Sequence, residues 1–286
     1  MDLRFTKMHG CGNDFVVVDD RTSEWDFDET AVSLLCDRHF GIGADGLILV
    51  RPATAPGAEF LMHYINADGS LAEMCGNGVR VFAKFLADRG LVTGDRVVVQ
   101  TLGGLKPIEL ARGDDGRVRT ARVDMGEPIL EAALIPTTLP GEPVIDALIS
   151  TDLGEFAVTC VSMGNPHAII WVDDVDEAPV TTLGPIIETH PAFPRKTNVE
   201  FAQVIDGEDR IRLRVWERGV GETLACGTGA CATLVAAVLS CRTGRSATIE
   251  LPGGDLVIGW SPEGDVYMSG PADEVFEGVW TIPDDE

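Results

Sequence analysis

The sequence predicts an α/β protein of two similar halves, each a set of strands wrapped around one buried helix. Three observations carry this. The chain has 286 residues, room for two domains at roughly 100–200 residues each, with a core that needs no disulfide or metal staple. It repeats itself once: CGNGVRVFAKFLA from Cys75 and CGTGACATLVAAV from Cys226 lie 151 positions apart. Gly12-Asn13 and Gly164-Asn165 lie 152 apart, and each pair precedes an apolar stretch ending in Asp-Asp. Two separated landmarks sharing nearly one offset argue for a duplication. Third, β-branched or aromatic runs bounded by Gly, Pro, Asn and Asp surround each Cys-Gly-x-Gly segment.

In chain order, FVVVDD is the first strand singled out, followed by a short amphipathic helix over Glu29–His39. GLILVRP and FLMHYINA are strands. The helix opening at Cys75 has Val79, Phe82, Ala83 and Leu86 at i, i+3, i+4 and i+7, with Gly90 as its C-cap. RVVVQT is a strand, and the charged, turn-rich GDDGRVRT at 113–120 reads as the linker. The second half offers FAVTCVSM, AIIWVDD, VEFAQVI, IRLRVWE, TIELP and LVIGW as strands. Its helix, Cys231 to Leu239 and stopping near Gly244, is apolar on almost every face and so should be buried. FEGVWTIP is one more strand, expected to return to the first domain. The expected domains are therefore 1–117, with 275–286 returning to it, and 118–274.

Charge excludes some partners. The chain carries 46 acidic against 22 basic side chains, a formal net charge of -24. Such a surface repels phosphate backbones and anionic lipid, so neither nucleic acid nor a membrane surface is an expected partner. The first twenty residues mix charges of both signs, and no apolar run reaches the ~18 residues of a spanning helix. Seven cysteines, scattered and odd in number, do not form a disulfide framework. The reading is a cytoplasmic protein with free thiols.

Cys75 and Cys226 stand where the chain turns into a buried helix. Unpaired backbone N–H groups and the positive end of the dipole gather there, favouring a thiolate and making a seat for a carboxylate. Gly76, Gly78, Gly227 and Gly229 let a ligand approach bare backbone. Cys36, Cys160, Cys231 and Cys241 read instead as small buried hydrophobes. Two opposed thiols suit the inversion of a carbon bearing hydrogen: one sulfur takes the proton from one face while the other returns a proton to the opposite face. Near-attack geometry on both sides implies sulfurs roughly 6–7 Å apart, so the working form is reduced.

The stretches KMHGCGNDFVVVD, GIGADG, NADGSLAEMCGNGVR, SMGNPHA, TNVEF, VWERGVGETLACGTGACA and MSGPA resemble the diaminopimelate epimerase family over nearly the whole chain. The resemblance implies an α/β (α+β) fold of two pseudo-symmetric domains, each a mostly antiparallel sheet curled around a central helix, with the active site in the cleft between them. It implies no cofactor and no metal. The small-molecule substrate would be diaminopimelate, and the assembly a homodimer. Cys75 and Cys226 would be the paired acid and base. The backbone of Gly76-Asn77 and Gly227-Thr228 would hold the reacting carboxylate. Asn13, Asn66, Asn165, Asn198, Glu217 and Arg218 would contact substrate, Arg218 at the distal carboxylate. His167 and Glu217 would bias the thiols. Where many relatives end GIGADG in Gln, this chain has Gly46, which leaves one polar contact without a side chain. A carbanion without pyridoxal phosphate must be held by the helix N-termini in a water-poor site, so a hinge motion between the halves is expected.

Three other readings stand beside this one, apart from a non-catalytic binding module, which the two retained thiols make unattractive. The nearest is a proline or hydroxyproline racemase of the same architecture. The second is a dithiol redox protein, disfavoured because no Cys-x-x-Cys is present. The last is a structural zinc protein, for which Cys226 and Cys231 lack a second ligand pair.

Overall fold

The computed structural model describes residues 2–72, 74–205 and 209–282; position 1 and the 283–286 end of the expected C-terminal return lie outside the described residues. The described residues up to Val123, with those from Gly270 on, form one compact unit, and Asp124–Ser269 forms the other.

In the first unit β1 (Asp2–Gly10), β2 (Asn13–Asp19), α1 (Glu29–Cys36), β3 (Gly46–Pro52), β4 (Phe60–Asn66), α2 (Gly76–Asp88), β5 (Arg96–Thr101), β6 (Gly104–Arg112) and β7 (Val118–Gly126) follow one another. In the second come β8 (Ala147–Thr151), β9 (Gly154–Ser162), β10 (Pro166–Trp171), α3 (Val180–Glu188), β11 (Asn198–Val204), β12 (Arg210–Glu217), β13 (Gly221–Thr223), α4 (Gly227–Leu239), β14 (Ser246–Leu251), β15 (Gly254–Trp260) and β16 (Val266–Pro271). Then β17 (Asp273–Thr281) runs antiparallel to β1, pairing Asp2 with Thr281.

The two units share one pairing scheme. The ladder β1–β2 is antiparallel, β2–β3 parallel, β3–β4 antiparallel, β4–β5 parallel and β5–β6 antiparallel. The second unit repeats it: β9–β10 antiparallel, β10–β11 parallel, β11–β12 antiparallel, β12–β14 parallel and β14–β15 antiparallel. Each parallel step needs a crossover, and a helix supplies it: α1 and α2 in the first unit, α3 and α4 in the second. The helix α2 packs against β1 through β6 and buries Val79, Val81, Phe82, Phe85 and Leu86. Its counterpart α4 packs against β9, β10, β11, β14 and β15. Each unit is thus a mixed, mostly antiparallel sheet around a central helix, an α/β fold.

Several elements depart from expectation. The helix α1 stops at Cys36, not His39, because the Asp37 carboxylate accepts the N–H groups of His39 and Phe40 at 2.7 and 2.8 Å. In α4 the first turn starts at Gly227 and the helix ends at Leu239, where Cys241 takes φ 55 and leads the chain away before Gly244. That Cys241 is exposed, unlike the buried Cys36, Cys160 and Cys231. GDDGRVRT is no linker; Gly113 and Gly116 close the turn between β6 and β7. No sequence pattern announced α3, which contains Gly184 and Pro185. A Cβ on Gly184 would lie 2.6 Å from the Trp216 ring, so the helix can approach β12 this closely only with glycine there.

Candidate active site

In both units the predicted residues sit at strand ends beside the start of the central helix. In the first, Cys75 is the N-cap of α2 in extended conformation, and its sulfur accepts the Gly78 N–H at 3.4 Å. Asn13 opens β2 and points Oδ1 at the Cys75 sulfur, 3.6 Å away, and at Nδ2 of Asn77, 3.2 Å away. Asp45 orients that amide: its Oδ2 accepts the Asn13 Nδ2–H at 2.7 Å and the Asp14 N–H at 3.0 Å. With a carbonyl oxygen facing it, the Cys75 sulfur is placed to donate, as a thiol. Asn66 ends β4 opposite Gly46 and donates to Ser70 Oγ at 3.0 Å. A Cβ on Gly46 would come 2.5 Å from the Tyr64 ring and 2.6 Å from the Ile65 carbonyl oxygen. Glycine at position 46 is what this packing against Tyr64 and the Ile65 carbonyl accommodates.

In the second unit Cys226 caps α4 in the same way and accepts the Gly229 N–H at 3.3 Å. Its sulfur also lies 3.5 Å from the Thr228 hydroxyl. Asn165 donates from Nδ2 to Thr228 Oγ1 at 3.3 Å, and its Oδ1 meets His167 Nε2 at 3.0 Å. Asn198 opens β11, donates to the Pro166 carbonyl at 2.8 Å and accepts the Arg218 N–H at 2.9 Å. The Arg218 side chain is exposed, and one guanidinium nitrogen donates to the Arg195 carbonyl at 3.1 Å. Glu217 ends β12, accepts the Thr223 hydroxyl at 2.5 Å and lies beside Cys226. Burial pushes the Glu217 carboxyl above the usual range. Burial also pushes the Cys226 thiol well up, and the neighbouring Glu217 pushes it the same way. Cys226 therefore rests as a thiol.

The residues fall into two clusters, one per unit: Asn13, Asn66, Cys75, Gly76 and Asn77, and Asn165, His167, Asn198, Glu217, Arg218, Cys226, Gly227 and Thr228. Sequence reasoning missed three supporting side chains. Arg80, wholly buried, donates to the Gly76 carbonyl at 3.1 Å and to Asn77 Oδ1 at 3.0 Å, locking the turn after Cys75. Glu188, the last residue of α3, accepts from Gly219 N and from Trp216 Nε1 at 3.1 and 2.8 Å, which holds the loop bearing Arg218. Glu200 pairs with His167. A basic residue four positions past Gly76 signalled Arg80; neither glutamate had a signal apart from the repeat.

The model of the family described as diaminopimelate epimerase matches residues 5–131 and 159–275. The chain belongs to the diaminopimelate epimerase family. It is 55% identical over 282 residues to the diaminopimelate epimerase of Pelotomaculum thermopropionicum, covering 97% of this chain and 99% of that one. It is 52% identical over 283 residues to that of Moorella thermoacetica, covering 98% and 100%. The fold recurs in solved structures of low identity. A probable proline racemase from Agrobacterium radiobacter has TM-score 0.71 and 16% identity over 99% of this chain and 93% of that one. A PhzF-family phenazine biosynthesis protein from Bacillus anthracis has 0.70 and 15% over 99% and 100%. This fold therefore occurs under several chemistries.

Proposed function

We propose that this protein epimerises LL-diaminopimelate to meso-diaminopimelate, without pyridoxal phosphate, using Cys75 and Cys226 as the two proton-transfer groups. The observation that carries this is the duplicated cap: each cysteine accepts the N–H three residues on from an extended N-cap of a 13-residue helix. Relatives near half identity over nearly the full length bear the epimerase name. One sulfur, as thiolate, takes the α-proton; the electron pair moves into the α-carboxylate; the other sulfur, as thiol, delivers its proton to the opposite face. The backbone of Gly76-Asn77 and Gly227-Thr228 receives the charge growing on that carboxylate. Asn13, Asn66, Asn165 and Asn198 orient the substrate, Arg218 pairs with the distal carboxylate, and His167 and Glu217 bias the sulfurs. The substrate ammonium supplies the positive charge that lowers a thiol which burial has raised. Each unit, the one up to Val123 with Gly270 onward and the one over Asp124–Ser269, supplies one of the two cysteines.

The same resemblance supports a cytoplasmic homodimer acting in lysine and peptidoglycan precursor synthesis. No helix among the described residues is long and apolar enough to cross a membrane. The test is α-proton exchange in D₂O with LL-diaminopimelate, meso-diaminopimelate and proline. Wild type should exchange and interconvert both diaminopimelate isomers and leave proline untouched. Cys75→Ser and Cys226→Ser should each lose nearly all interconversion; full turnover by either variant removes that cysteine from the mechanism.

A further inference from the structure

The duplication allows a residue-by-residue comparison of the two helix caps. The parallel registers Phe15↔Gly46 and His167↔Asn198 make Phe15 the counterpart of His167. They make Ile48, opposite Val17, the counterpart of Glu200, opposite Ile169. All four side chains are wholly buried. Next to the cap glycines the correspondence holds: a Cβ on Gly78 would be 3.4 Å from Ile48 Cδ1, and one on Gly229 would be 2.9 Å from Glu200 Oε1. The fold therefore fills these two positions with hydrocarbon in one unit and with a polar pair in the other. Packing alone does not call for the polar pair, which costs free energy to bury.

From Glu200 a line of contacts leads to the sulfur. Glu200 Oε1 is 2.6 Å from His167 Nδ1, His167 Nε2 is 3.0 Å from Asn165 Oδ1, Asn165 Nδ2 is 3.3 Å from Thr228 Oγ1, and Thr228 Oγ1 is 3.5 Å from Cys226 Sγ. We propose that Glu200 is a positioning residue for Cys226: its protonated carboxyl donates to Nδ1 of His167 and so fixes the donor direction of every group from His167 to the sulfur. With Nδ1 accepting, neutral His167 carries its proton on Nε2 and donates to Asn165 Oδ1. The Asn165 amide then donates to Thr228, whose own proton is left for the sulfur of Cys226 when that sulfur is a thiolate. Glu200 Oε2 supports the protonated form, since it is buried and has no hydrogen-bond partner among the described residues; a neutral carbonyl oxygen tolerates this far better than an anionic one. Burial raises the Glu200 carboxyl in the same direction. The titratable groups around it are Cys160 on β9, His167 on β10, Glu217 at the end of β12 and Cys226 at the α4 cap.

The inference rests on the epimerase reading for its kinetic arm and is independent of it in its spectroscopic arm. In ¹⁵N NMR of the wild-type protein near neutral pH, His167 should be a neutral imidazole protonated on Nε2; an imidazolium or an Nδ1–H tautomer overturns the proposal whatever the enzyme's activity. Glu200→Ile, which installs the residue of the other unit, should lower kcat by about tenfold or more, the worth of one lost hydrogen bond, at nearly constant KM. Glu200→Gln keeps a donor for Nδ1 and should recover most of that loss. A Glu200→Gln variant as impaired as Glu200→Ile would show that charge, not donor direction, matters, and an unimpaired Glu200→Ile would reduce Glu200 to packing; either result overturns the proposal. Should Glu200→Ile not fold, the tautomer measurement and Glu200→Gln decide alone.

Discussion

A sulfur at the cap of a buried helix is pulled two ways. The free N–H groups and the dipole favour a thiolate, and Gly229 N–H points at the Cys226 sulfur. Burial and the Glu217 carboxyl oppose this and win in the resting protein. Replacing Glu217 by Gln removes one cause that holds the thiol up, so Cys226 should ionise more easily. The acidic limb of the pH profile of kcat/KM should move to lower pH, by up to about one unit, with KM raised by the lost substrate contact. A limb that stays in place would dissociate Glu217 from the sulfur. Arg218 poses a separate question, because its guanidinium is exposed and its loop is pinned by Asn198 and Glu188. Arg218→Lys keeps the charge and loses the fork, so KM should rise about tenfold with kcat nearly unchanged. An unchanged KM would take Arg218 away from the distal carboxylate.

At the scale of elements, the central helices and the strands beside them were legible because their patterns are strong: a 3.6-residue apolar period in α2, an all-apolar run in α4, and β-branched runs in β2, β3 and β5. The helix α3 was hidden because Gly184 and Pro185 break every local helix signal, and tertiary packing against Trp216 overrides them. The repeat itself could have revealed it, since α1 occupies the same crossover in the first unit. The same mapping would have set His167 and Glu200 against Phe15 and Ile48, a polar pair facing an apolar one. Single-residue motifs could not, because Glu200 lies in a strand run, VEFAQVI, that reads as core. The caps test the asymmetry directly. Gly78→Ala brings a Cβ into ordinary contact, 3.4 Å from Ile48, whereas Gly229→Ala brings one to 2.9 Å from Glu200 Oε1. Gly229→Ala should therefore cost more melting temperature and more kcat than Gly78→Ala. Equal losses would mean that the two caps are packed alike.

Across the whole molecule the buried thiols make stability depend on pH in a direction set by their shifts. Burial pushes Cys36 and Cys160 up to about 12 from 9.0, and pushes Cys226 well above 9.0. A thiol raised in the folded state stays protonated there while the unfolded chain ionises. Its contribution to stability is intact below the unfolded value of 9.0 and is lost progressively as pH climbs toward the folded value. At pH 10 the loss is about 1 kcal/mol for each such thiol, so Cys36 and Cys160 together should lower the melting temperature by several degrees between pH 8 and pH 10. The acidic side differs. Burial pushes Asp14 up, but the hydrogen bonds from Arg38 and Lys7 outweigh it and hold the carboxyl at about 2. Its contribution is intact above 3.8 and disappears as pH falls through about 2. Calorimetry of Cys160→Ala at both alkaline pH values isolates the thiol effect from the lysines and tyrosines that titrate nearby. The variant should start less stable at pH 8, because a cavity replaces the sulfur, and should lose less on going to pH 10 than wild type does. A parallel loss in both proteins would mean that Cys160 is not the group that ionises on unfolding.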